Sequence, residues 1–108
     1  MNAKAQLSEL LDVSEDAREL SEAGHSYILL PGLQLPAGCN PSRTDGLLCI
    51  TSRDGYPTRL FLSERVEGRG QNWNTYRILD RNWHSCSWTG VQPGRLVEVL
   101  AQHFRAFR

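Results

Sequence analysis

Gly46-Leu47-Leu48-Cys49-Ile50-Thr51, the turn Ser52-Arg53-Asp54-Gly55-Tyr56-Pro57, and the run Thr58-Arg59-Leu60-Phe61-Leu62 decide how this chain folds. The first run is short, apolar and bounded by turn residues, as a central strand is. The second run reads as its neighbour. Between them, Pro57 fixes its own φ and pushes Tyr56 toward extended geometry, so Tyr56-Pro57 forms a rigid corner with the tyrosine ring against the sheet edge.

Working outward, Ser26-Tyr27-Ile28-Leu29-Leu30 is a further strand, closed by Pro31-Gly32 and Pro36-Ala37-Gly38. Cys39 to Asp45 reads as a loop, as does the polar, Gly-containing stretch Ser63 to Asn74. Thr75 to Asp80 adds a short strand with Tyr76 and Ile78 on one face. Arg81 to Gln92 shows no regular period. Before the sheet, Leu7, Leu10, Leu11, Ala17 and Leu20 recur near helical spacing, Asp12 and Glu15 suit a capping box, and Gly24 suits a left-handed helix stop. This region reads as one helix or two short ones. After the sheet, Pro93 suits a first helical turn. Leu96, Leu100, Phe104 and Phe107 follow as an apolar stripe, with Val97 and Val99 beside them. Strands lying between terminal helices predict an α+β fold: N-terminal helix, antiparallel β-meander, C-terminal helix. Leu29, Leu48, Ile50, Leu60, Leu96, Leu100 and Phe104 are the predicted core.

The chain has 108 residues, which suits a single domain over 1–108, and its hydrophobic content of 40% allows a packed core. Twelve Lys+Arg balance twelve Asp+Glu. That neutrality gives no electrostatic case for nucleic acid or an anionic membrane. No apolar run approaches the roughly 18–20 residues that span a bilayer. Met1 to Gln6 is polar and does not read as a signal peptide. A cytoplasmic location is expected. The cysteines at 39, 49 and 86 fit neither a disulfide framework nor a zinc site, and the three histidines are dispersed, so no metal and no cofactor are expected.

Cys86 is the candidate nucleophile. It lies among Trp83, His84, Ser85, Ser87 and Trp88, in a segment read as irregular, where reactive groups are commonly displayed. In an extended segment His84 shares its face, and a histidine titrates near neutrality. The competing reading makes Cys86 a small buried filler and His84 a loop residue bonded to backbone. Cys49, mid-strand, reads as core. Cys39 follows a turn and reads as open to solvent, with nothing nearby to activate it. Trp83 and Trp88 read as packing residues, and Trp73 stays open. Arg65, Arg69, Arg77 and Arg81 read as solvated surface.

Taken in order, Leu35-Pro36-x-Gly38-x-Asn40, Leu47-Leu48-Cys49-Ile50, Gly55-Tyr56-Pro57, Phe61, Trp83-His84-Ser85 with Trp88, and the helix from Pro93 resemble the ubiquitin-conjugating enzyme superfamily. The branch is the small bacterial one called prokaryotic family E, matched from about Tyr27 to Phe107. The resemblance implies a compact ubiquitin-conjugating-enzyme-like domain. It implies partners too: a ubiquitin-like protein, a ThiF-type activating enzyme, and a JAB-type metalloprotease in the same pathway. It implies that Cys86 carries the ubiquitin-like protein as a thioester and passes it to an acceptor, splitting one acyl transfer into two. The His-Pro-Asn tripeptide that usually supplies an oxyanion-stabilising asparagine is absent. Asn72, Asn74 and Asn82 all precede Cys86, and spacing does not choose among them. The catalytic set expected on this reading is Cys86, His84 and Asn82. The alternative is a non-catalytic adaptor that binds the activating enzyme or the ubiquitin-like protein. A third reading is an interaction module unrelated to tagging.

Overall fold

A computed structural model describes residues 9–10, 14, 16–52, 55–92 and 94–107. Six strands form one antiparallel sheet: β1 (Arg18–Glu22), β2 (His25–Gln34), β3 (Arg43–Cys49), β4 (Arg59–Leu62), β5 (Asn74–Ile78) and β6 (Arg81–Ser85). Their order is β1-β2-β3-β4-β6-β5, curved into a half-barrel. One helix, α1 (Leu96–Phe104), follows and ends in a 3₁₀ turn, Arg105–Phe107.

The expected α+β, ubiquitin-conjugating-enzyme-like architecture of N-terminal helix, meander and C-terminal helix is therefore not the one adopted. The molecule is mostly antiparallel sheet, and β6 enters between β4 and β5. Most of the expected N-terminal helix, including Leu7, Leu11, Asp12 and Glu15, lies outside the described residues. Its C-terminal part is overturned directly. Leu20, read into that helix, sits mid-strand in β1, where it pairs with Tyr27 of β2. Gly24 does take a left-handed φ of 80°, but Ala23 before it has φ 51°. Two consecutive positive φ values joining antiparallel strands make a two-residue hairpin turn, not a helix stop. Leu79 and Asp80 repeat the device between β5 and β6, with φ of 51° and 60°.

β2 also runs further than its proline allows at first sight. The register shifts between Leu30 and Leu33, so Pro31-Gly32 forms a bulge rather than an end. The Gly32 amide is satisfied there by Asp45 Oδ1 at 2.8 Å. The three central strands otherwise pair as read: Ile28 faces Leu48, and Leu48 faces Leu60.

Alternation along these strands builds two cores. On the face covered by α1, Ile28, Leu30, Leu48, Leu60 and Leu62 pack with Leu96, Val99, Leu100 and Phe107. On the opposite face, Tyr27, Leu47, Cys49, Phe61, Ile78 and Trp83 form the second cluster. Of the predicted core, Leu48, Leu60, Leu96 and Leu100 are buried, while Leu29, Ile50 and Phe104 are only half-buried. Tyr56, expected against the sheet edge, meets instead a residue of the inner strand β4. Its ring lies 4.4 Å from the Arg59 guanidinium, which also stacks on Tyr76 at 4.8 Å.

Gly46 shows how closely β2 and β3 approach. A Cβ there would sit 2.7 Å from Leu33 Cδ2 inside the core. Gly46→Ala is expected to lower stability by about 1–3 kcal/mol through overpacking, measured by urea denaturation. An unchanged midpoint would show that the two strands are not packed this tightly.

Candidate functional site

Cys86 directly follows β6, so strand alternation puts Trp83 and Ser85 on one face and His84 and Cys86 on the other. The thiol is enclosed rather than displayed. Cys86 is 7% exposed and belongs to the core beneath α1. Gly70 lies against it: a Cβ at that position would come within 3.1 Å of the Cys86 sulfur. Its φ of 76° is one that glycine adopts at no steric cost. Burial pushes the thiol pKa up, outweighing the opposing pull of the Gln71 backbone and of the Arg59 charge. Cys86 is thus a protonated, inert sulfur, the reverse of an activated nucleophile.

The other two expected catalytic residues are held elsewhere. His84 is half-buried, and its Nδ1 lies 3.0 Å from Thr75 Oγ1 on β5. Asn82 is exposed, its Oδ1 accepting from Arg77 Nη1 at 3.4 Å. Four residue steps along the chain separate it from Cys86, a span of about 13 Å at the usual strand rise. Cys86, His84 and Asn82 do not converge.

What does converge on Cys86 is a buried polar cluster. Arg59, Ser85, Cys86 and His103 line one small cavity of about 10 Å³, with Trp88 and Phe107 among its apolar walls. That is room for about one water. Arg59 Nε donates to Ser85 Oγ at 3.2 Å, and Ser85 Oγ donates to the Leu60 carbonyl at 2.8 Å. His103, 4% exposed, sits 2.9 Å from the Thr58 hydroxyl through Nε2. Its pKa is pushed down to about 4, first by burial and then by Arg59. At neutral pH the cluster holds one cation, a neutral imidazole and a neutral thiol. It can pin α1 to β4 and β6. It admits no peptide and presents no thiolate.

A larger opening lies beside it. Residues 68–71 with Ser87, Trp88 and Ala106 line a groove of about 330 Å³. The groove wall is fixed from several sides. Ser87 N donates to the Gln71 carbonyl at 2.7 Å, and Trp88 Nε1 to the Gln102 carbonyl at 2.9 Å. Trp73 Nε1 donates to the Arg69 carbonyl at 2.9 Å, and its ring stacks on Phe107 at 6.0 Å. Arg69 Nη1 donates to the Phe107 carbonyl at 2.6 Å and the Ala37 carbonyl at 3.2 Å. Arg69 is therefore a clasp, not part of a loose basic surface.

Sequence reasoning missed Arg59, Ser85 and His103. A signal for His103 exists: it lies three residues after Leu100 and four before Phe107, within the apolar stripe of α1. Trp83 packs as expected, fully buried with Nε1 bonded to the Ile78 carbonyl at 3.1 Å. Cys49 is core, and Cys39 is also buried rather than open to solvent. Among the described residues no group of three His, Cys, Asp or Glu side chains is placed to hold a metal. Likewise, no helix among them is long and apolar enough to cross a membrane. Compared with known protein families, curated proteins and solved structures, the chain matches none of them.

His103 makes stability pH-dependent. The unfolded chain takes up a proton near the ordinary value of 6.5, whereas the folded state resists until about 4. Unfolding is therefore favoured as pH falls through that window, by about 3 kcal/mol at its acid end, and the effect vanishes above it. Chemical denaturation between pH 7 and 5 should show stability declining, and His103→Gln should flatten that decline. An equal slope in both proteins would remove His103 as the cause.

Proposed function

We propose that this domain is a non-catalytic binding component of a bacterial ubiquitin-like conjugation pathway, acting in the cytoplasm. On this reading it docks the ubiquitin-like protein or its ThiF-type activating enzyme, and Cys86 is structural. The observation that carries the non-catalytic reading is the closure of Cys86 beneath Gly70, with its pKa raised by burial. A thioester-forming cysteine must meet a partner's C-terminal carbonyl as a thiolate. The groove along residues 68–71 offers docking space on the same side of the molecule. The pathway itself rests on the ordered sequence resemblance from Leu35-Pro36 to the Trp83-His84-Ser85 segment. Function resides in sites rather than folds, so a different sheet topology leaves that resemblance to be tested on its own terms. A JAB-type metalloprotease is the expected further member of the pathway.

Mixing the protein with its cognate ubiquitin-like protein, the activating enzyme and ATP tests this directly. A non-covalent complex is expected by size exclusion or calorimetry, with no adduct that a thiol reductant cleaves. Cys86→Ser should leave binding unchanged. A reductant-sensitive adduct lost in Cys86→Ser would establish the transferase instead. Failure to bind either partner would remove the domain from the pathway.

A further inference from the structure

We infer that β1 is a dimerisation edge: two copies of this chain pair through it, antiparallel, with Leu20 on the two-fold axis. The inference goes beyond the pathway reading and rests on no part of it.

The backbone comes first. β1 ends the sheet, and among the described residues its outer edge has no strand partner. Glu22 and His25 flank the two-residue turn at Ala23-Gly24, so they exchange hydrogen bonds. Antiparallel pairs alternate between bonded and non-bonded, so Leu20 and Arg18 also turn their backbone groups to β2. The amides and carbonyls of Glu19 and Ser21 therefore point outward. Sheet edges are commonly blunted by proline, lysine or a bulge. Arg18-Glu19-Leu20-Ser21-Glu22 contains neither residue, and its register with β2 is continuous.

Charge then selects the occupant and the register. A second β1 adds only where outward groups meet outward groups, with the axis at Glu19, Leu20 or Ser21. An axis at Glu19 sets two like charges opposite each other. An axis at Ser21 sets Arg18 opposite Gly24 and leaves it without a charge partner. An axis at Leu20 sets Arg18 opposite Glu22 of the second copy, and Glu22 opposite its Arg18. Glu19 and Ser21 then exchange hydrogen bonds, and the two Leu20 side chains meet. Arg18, Leu20 and Glu22 fall in the non-bonded pairs, where side chains approach most closely. The contact uses the same surface twice, so the assembly closes at two.

The side chains are placed for it. Arg18 and Glu22 are exposed, and Leu20 is half-buried. Arg18 meets Asp16 through Nη2, and Glu22 accepts from the Leu79 amide through Oε2 at 2.8 Å. Arg18 Nε and Nη1 and Glu22 Oε1 have no further partner among the described residues. Leu29, opposite Arg18 on β2, is half-buried on the same face, so an added strand covers apolar surface there. Two five-residue strands fall short of the roughly 1,000 Å² of a durable interface, so the dimer is weak.

Sedimentation velocity of the whole protein from about 10 μM to about 1 mM should show monomer passing into dimer, the range a small interface commands. The Glu19 and Ser21 amides should gain exchange protection over the same range, and added salt should weaken the dimer. Arg18→Glu and Glu22→Arg should each stay monomeric alone, because each sets like charges opposite. Mixed in equal amounts, the two should associate as the unaltered chain does, since every facing pair is then opposite in sign. If Glu22→Arg does not fold, Arg18→Glu alone and the amide protection of the unaltered protein still decide. A monomer throughout, a dimer indifferent to either reversal, or folded variants that fail to associate on mixing would overturn the inference. Protection of Thr75 and Arg77 instead would move the contact to the β5 edge and overturn it. Protection of Glu19 and Ser21 already present in the monomer would show the chain covering its own edge, and would overturn it as well.

Discussion

The clasp made by Arg69 sets the conditions for everything around Cys86. Through one nitrogen it joins three distant stretches of chain: its own loop, the turn at Ala37, and the carbonyl of Phe107 beyond α1. With those ends fixed, Gly70 is pressed on Cys86, Trp73 stacks on Phe107, and Ser87 bonds back to Gln71. Each contact removes solvent from the sulfur. A residue that sequence context displays as a reactive thiol thereby becomes part of a packed wall. The loop closes on it because Gly70 carries no Cβ and because Gly68 and Gly70 both take positive φ.

The second organising element is the buried cation Arg59. It is 5% exposed and lies among aromatic rings while bonded to Ser85. Because its charge faces the cavity shared by Cys86 and His103, it favours a neutral histidine. The same arrangement that pins α1 to the sheet therefore discourages acid–base chemistry at His103. Structure and function meet in this cluster: what stabilises the helix packing is what makes the site unreactive.

The central sheet was legible because its signal is strong. The runs at 26–30, 46–51 and 58–62 carry apolar side chains on both faces, and they became β2, β3 and β4. The β5 strand was legible from Tyr76 and Ile78. By contrast, β6 was not, because Arg81-Asn82-Trp83-His84-Ser85 has a single apolar residue, and its remaining inward side chain is a hydroxyl whose main partners, Arg59 and the Leu60 carbonyl, are distant in sequence. Gly24 misled for a physical reason. A helix stop and a two-residue hairpin turn both require positive φ, and a glycine alone does not tell them apart. In the same way Pro31-Gly32 signals an ending by local rules, yet Asp45 satisfies the bulge and the strand continues. The site was least legible. Cys86 was visible as a chemical type, but its surroundings come from Gly70, Arg59 and His103, which are far from one another in sequence. Their meeting depends on tertiary packing that no local pattern encodes.

The claim on which the account turns is that Cys86 is sealed in the native state. Timed labelling with iodoacetamide under native conditions, read by peptide mapping in a mass spectrometer, tests it at the single residue. The account predicts that Cys86 stays unmodified while the protein is folded and reacts only as fast as the protein opens or unfolds. Labelling of Cys86 in the folded protein at the rate of an exposed thiol would contradict it, and would return the residue to the role of nucleophile.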